Sequence, residues 1–305
     1  MRLLAARRLF ALALLLAIVP GLLWRDSPTA AQRSDDLRVR PLGWPKAAAA
    51  SLLGPFRLAG VWQLDSRHPG FGGYSSMLLP GDRMLTFSDR ADTLEFALPR
   101  GTGIAGYRFG KVPVNPYDRR FGRDIESATR DPASGTIWLG WEWSNTISRH
   151  GADLVRTGMA GPGAMRHWSQ NTGPEAVVRL ADGRFIVLSE AFTHWLHWKE
   201  HRALLFVRDP AKGGKPQGFS FEGSDGFRPT DMAQLPDGRV LVLMRQMTWP
   251  LPIRFSGRIV IADPAEIRPG GIWRGRELAK LEPPLPIDNF EGMAIRPLSD
   301  GQVEV

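Results

Sequence analysis

The chain has 305 residues, 43% of them hydrophobic, with 39 Lys and Arg against 31 Asp and Glu for a formal charge of +8. It has no cysteine, which excludes disulfides, thiolate catalysis and cysteine metal sites. The basic residues are scattered and form no run, so no nucleic-acid partner is expected.

Arg2, Arg7 and Arg8 precede the apolar run LFALALLLAIVPGLL, and TAA at residues 29–31 supplies small residues for cleavage. This layout predicts a signal peptide over residues 1–31, leaving no stable membrane span once cleaved; the alternative is an uncleaved anchor. Arg7-Arg8 followed by Phe10 approaches the twin-arginine pattern. A periplasmic or secreted location is expected. Residues 32–51 read as a linker, and residues 52–305 as one domain.

Within that domain, 33 glycines and 25 prolines over the whole chain point to many turns and an all-β fold. One pattern recurs: an acid, an apolar strand, a tight turn, a second strand and another charge. DIESATRDPASGTIWLGWE runs from Asp124 to Glu142 and holds Glu126. NTGPEAVVRLADGRFIVLSE runs from Asn171 to Glu190 and holds Glu175. RPTDMAQLPDGRVLVLMR runs from Arg228 to Arg245 and holds Asp231. DNFEGMAIRPLSDGQVEV starts the pattern again at Asp288, with Glu291. An earlier relative has Gly60 at the leading position and Asp89 at the end of a later strand. The leading positions are 60, 126, 175, 231 and 291, spaced by 66, 49, 56 and 60 residues. Repeats near this length with several strands each predict propeller blades. RALLFVRDP and GRIVIADPA supply further, outer strands. A hairpin returns its ends to one place, so the paired charges are expected to form a ring at one mouth of the central channel. That ring contains Asp89, Glu126, Glu142, Glu175, Glu190, Asp231 and Glu291, with Arg245 opposite in sign.

DNFEGMAI, the Glu175–Glu190 hairpin, the Glu126–Glu142 hairpin and LLPGDRMLTFSDR together resemble the phytase-like domain family, labelled esterase-like activity of phytase, over most of residues 52–298. The resemblance implies an exported β-propeller, expected to be six-bladed, with five recognisable repeats here. Members of the family continue past NFEGMA into another acidic, SDDN-like motif and a closing strand. This sequence reaches Val305 inside that hairpin, which reads as a truncated last repeat.

The resemblance further implies hydrolysis of a small phosphate or carboxylate ester, assisted by Ca²⁺, by a monomer. On this reading Glu175, Glu190 and Arg245 are catalytic. Asp89, Arg90, Asn171 and Asn289 bind substrate. Glu126, Glu142, Asp231 and Glu291 hold the metal, since Ca²⁺ prefers six to eight oxygen ligands. Arg245, with Arg90 or Arg130, would clamp a phosphate, and two carboxylates in unlike environments would divide acid and base roles.

Each of these acids has a plainer use as well: at the start of a propeller strand it can accept backbone N–H bonds from a neighbouring blade. Two other classes stay open, a non-catalytic propeller that binds a ligand or protein and a lactonase-like metal propeller. Serine catalysis has little support, because there is no G-x-S-x-G elbow and Ser88 and Ser189 alternate in face with Asp89 and Glu190. HWLHWKEH would place His194, His197 and His201 on one side of a helix, but its position between two strands favours an irregular aromatic loop. No phosphate-binding glycine loop is present.

Overall fold

The structure, a computed structural model, describes residues 36–99, 101, 103–104, 106–114, 124–194, 197–248 and 254–305. The expected signal segment lies outside the described residues. The described part of the expected linker is packed chain instead. Strand β1 (Leu37–Pro41) pairs antiparallel with β2 (Trp62–Ser66), and helix α1 (Lys46–Leu52) forms in the alanine run between them. Trp44, Leu52 and Phe56 pack on a cluster that contains Leu241, Leu243, Ile259 and Ile261, which explains why this stretch does not behave as a tether.

Four antiparallel sheets follow in chain order. The first holds β3 (Tyr74–Leu78), β4 (Arg83–Ser88), β5 (Asp92–Ala97) and β6 (Arg108–Lys111). The second holds β7 (Ile125–Arg130), β8 (Ile137–Trp141), β9 (Thr146–His150) and β10 (Arg156–Ala160). The third holds β11 (Pro174–Arg179), β12 (Phe185–His194), β13 (His197–Phe206) and β14 (Gln217–Glu222). The fourth is built from β15 (Arg228–Gln234), β16 (Val240–Thr248) and β17 (Arg254–Ala262). The chain then lends β18 (Ile272–Arg274) to the third sheet, parallel to β14, before β19 (Arg276–Leu281) completes the fourth.

Small sheets arranged in a ring make a β-propeller. The first strand of each sheet is innermost: β3 touches β7, β7 touches β11, and β11 touches β15. Blades stack face to face, so middle strands such as FIVLS and VLVLM are apolar on both sides rather than alternating. Trp138 and Ile147 of the second blade pack with Val187 and Leu204 of the third. Ile186 and Leu188 pack on Val242 and Met244 of the fourth. Polar ties add to this: Asp209, in the turn after β13, accepts from Trp138 Nε1 at 2.7 Å and Arg149 Nη1 at 2.8 Å.

The fifth repeat is short. The SDG turn joins β20 (Arg296–Pro297) to β21 (Val303–Glu304). It bridges the ends of the ring, because Met293 N–H donates to Asp231 of blade four at 2.7 Å and Arg296 pairs with Asp82 of blade one. A sixth blade is not among the described residues. Of HWLHWKEH, His194 ends β12 and residues 197–201 open β13, while residues 195 and 196 lie outside the described residues. These described residues are extended chain, so the helical spacing of three histidines does not apply.

Candidate functional site

The same irregularity occurs at the start of all four innermost strands. Each carries a β-bulge, with one extra residue against its partner strand, at Ser75, Glu126, Glu175 and Thr230. A bulge turns its extra side chain out of the regular alternation. Aligned on the bulge, the leading ring positions are Ser75, Glu126, Glu175, Thr230 and, in the fifth repeat, Glu291. Gly60 precedes β2 and lies outside the blades. Asp231 sits one residue past the bulge, which reverses its direction. It is 1% exposed and accepts backbone N–H bonds from Met232 and Met293, both at 2.7 Å. The equivalent Ser127 likewise bonds across to the next blade, donating to Pro174 O at 2.5 Å. Asp231 is therefore a strut between repeats, not a cavity ligand.

In the same register the second strands bring Asp89, Glu142, Glu190 and Arg245 to this mouth. The two rings enclose a cavity of about 400 Å³. It is lined by Asp89, Glu126, Glu142, Asn171, Glu175, Glu190, Arg245, Asn289 and Glu291, together with Gly73 and Ser75. Nine expected site residues thus meet in one place. Arg90 and Arg130 are not among its walls; Arg90 pairs with Asp89 and Asp92 on an exposed rim. Two glycines let the walls close. Gly73, at φ +64°, leaves no room for a Cβ, which would stand 2.8 Å from Asp89 Oδ1. On Gly173 a Cβ would lie 2.8 Å from Glu142 Cα.

Arg245 organises one side of the cavity. Its guanidinium pairs with Glu291, contacts Glu190 Oε1 at 3.1 Å and donates to Asn289 Oδ1 at 3.0 Å. Asn289 in turn donates to Glu291 at 2.6 Å, and Arg228 stands 3.6 Å from the other Glu190 oxygen. Burial lowers the Arg245 pKa, but the charges of Glu291 and Glu190 outweigh it and raise it. Because Arg245 is occupied by the protein's own acceptors, it holds carboxylates in place rather than standing free as a phosphate clamp.

Among the described residues that line the cavity, Arg245 is the only cation, and it does not pair with the acids of the other side. Asp124, Glu126 and Glu142 offer oxygens within 4.8 Å of one another, and so do Glu142, Glu175 and Glu190. Asp124 hydrogen-bonds Glu126, and Glu142 hydrogen-bonds Glu175, contacts that need a proton on one partner. Burial first, then the charges of Asp124, Glu142 and Glu291, pushes the Glu126 carboxyl up to about 9. Glu175, 6% exposed, is raised well above the usual carboxylate range by burial and then by Glu126. Asp124 and Glu142 are raised too, again chiefly by burial. All donors here are oxygens, the set a hard cation prefers, and Asp89 Oδ1 is buried without a hydrogen-bond partner.

Sequence reasoning passed over Asp124, although Asp-x-Glu on extended chain was a readable signal for two carboxyls on one side. Ser75 carried no such signal. His201 is fully buried, hydrogen-bonds Glu190 O and Phe227 O, and has its pKa lowered to about 4, chiefly by burial. It is a neutral strut. Among the described residues, no helix is long and apolar enough to cross a membrane.

Fold and cavity define a β-propeller with an acid-lined central mouth. The profile of the phytase-like family, described as esterase-like activity of phytase, matches residues 69–305, and the chain belongs to that family. No curated protein matches the chain. Solved structures similar to it include Kuenenia stuttgartiensis hydrazine synthase, with 12% identity, TM-score 0.36, and coverage of 68% of this chain and 49% of that one. A nidogen/laminin complex gives 12% identity, TM-score 0.41, and coverage of 74% and 69%. A mitotic checkpoint complex gives 10%, 0.37, and 78% and 61%. The chain spans about half the length of the hydrazine synthase chain. Similarities this low carry no functional argument, and the propeller assignment rests on the chain's own sheet topology.

Proposed function

We propose that this is an exported hydrolase of small phosphate or carboxylate esters that works in the acidic cavity with a bound Ca²⁺ or similar hard divalent ion. The observation that carries the reading is the division of the cavity, in which a buried, proton-holding Glu175 lies beside a Glu190 held in ion pairs by Arg245 and Arg228. That arrangement supports a general acid and a general base within reach of one substrate. Glu190 accepts a proton from the attacking water. Glu175 gives its proton to the departing oxygen. Arg245 keeps Glu190 and Glu291 turned toward the cavity, and Asn171 and Asn289 offer amide hydrogen bonds to the substrate. Asp124, Glu126 and Glu142 would hold the ion, which when bound offsets their mutual repulsion and polarises an ester or phosphoryl oxygen.

The test is a hydrolysis panel of phosphomonoesters, phytate and short acyl esters, with Ca²⁺ and with chelator. Turnover that falls with chelator and with Glu175→Gln or Glu190→Gln is expected. No turnover of any ester overturns the reading and leaves a propeller that only binds.

A further inference from the structure

The β12 strand does not stop at the cavity. Beyond Glu190 it continues through His194, paired with β13 from His197 to His201, so this hairpin extends past the cavity rim. Its neighbour does the same: β16 runs on from Arg245 to Thr248, paired with β17 from Arg254. Gly226 ties the two hairpins, donating to Trp198 O at 2.8 Å and accepting from Gln246 Nε2 at 3.2 Å.

This hairpin presents aromatic surface. Trp198, in the paired strand β13, is 60% exposed. Its ring lies 6.1 Å from that of Phe192, and the Arg228 guanidinium stands 5.1 Å from the Phe192 ring centre. Arg228 also contacts Glu190, a wall of the cavity. Trp198, Phe192, Arg228 and Glu190 therefore form an unbroken path from the surface into the site. Trp143, next to Glu142, and Phe290, between Asn289 and Glu291, are exposed as well. An acidic cavity with an aromatic rim suits a polyanion poorly, since Arg245, the one cation among the described lining residues, is already paired. It suits a ligand with a flat apolar part, which gains from stacking and from removing ring surface from water.

We propose that Trp198, Phe192 and Arg228 form a shelf that holds the aromatic part of an aryl or arylalkyl ester while its ester bond reaches the cavity. This rests on the hydrolase reading and narrows its substrate class. The experiment compares full-length wild type with Trp198→Ala and Trp198→Phe on benzyl and methyl esters of one carboxylic acid, and on benzyl and methyl phosphate, which separates acyl from phosphoryl substrates. Trp198→Ala is expected to raise the benzyl-to-methyl KM ratio about tenfold, with Trp198→Phe restoring most of it. A ratio that does not move in Trp198→Ala overturns the shelf. If wild type hydrolyses none of the four, the hydrolase reading fails on its own, and calorimetric binding of benzyl phosphonate against methyl phosphonate decides the shelf. A benzyl preference that Trp198→Ala removes supports it, and equal affinities in wild type overturn it.

Discussion

Glu190 and Glu291 face Arg245, whereas Asp124, Glu126, Glu142 and Glu175 face one another. Both groups stand at the same mouth, on equivalent strand positions of neighbouring blades. One is neutralised by Arg245, which the fold supplies within β16. The other is left to be neutralised by protons or by something the protein binds. The difference teaches how the roles divide: Arg245 holds Glu190 in place to accept a proton, and the group without a paired cation can hold protons or ions.

The sharpest way to break this comparison is to remove the proton-holding member of the unbalanced side. Glu175→Gln is expected to lower kcat/KM for the best ester substrate by about a hundredfold or more. Asp231→Asn should leave kcat/KM of the folded protein intact while lowering stability by about 1–3 kcal/mol in urea unfolding, because one backbone N–H loses its buried acceptor. The pair of variants separates a reacting carboxyl from a structural one.

On the balanced side, Arg245→Met leaves Glu291 without its cation and Glu190 with only Arg228 at 3.6 Å. A loss of about 3 kcal/mol or more is expected in the same unfolding measurement. Adding Glu291→Gln to that variant should recover part of it. A simple sum of the two single effects would contradict the account.

Next in size is the pH dependence. A carboxyl raised to about 9, as at Glu126, keeps its proton in the folded chain when the unfolded chain has lost it. Stability without divalent ions should therefore fall as pH rises from the ordinary carboxylate range toward 9, by at most about 1.4 kcal/mol per pH unit for each such group. Saturating Ca²⁺ should flatten the slope. The smallest effect is expected at Arg90, which lies on an exposed rim. Arg90→Ala should change stability by less than about 0.5 kcal/mol and leave turnover alone.

Much of this was legible in the sequence, for a physical reason. Blade hairpins repeat their turn and their apolar strand, so period and spacing show the propeller, and hairpin closure brings Glu142 and Glu190 back beside Glu126 and Glu175. Bulges were not legible. They shift the register by one residue without changing composition, and so Asp231 seemed equivalent to Glu175 when Thr230 is. The same blindness put the first leading position at Gly60 rather than Ser75. The Arg245 ion pairs depend on contact between blade four and the fifth repeat, which no local pattern records. The burial of His201, bonded to Glu190 O and Phe227 O, likewise depends on contacts no local pattern records.

The central claim is that the unbalanced side of the cavity carries protons that a bound cation replaces. Calorimetric titration with Ca²⁺ at pH 7, in two buffers of different ionisation enthalpy, reads the protons released on binding. The account predicts binding with release of about one proton or more, abolished or reduced in Glu126→Gln. Absence of binding, or binding with no proton released, would contradict it.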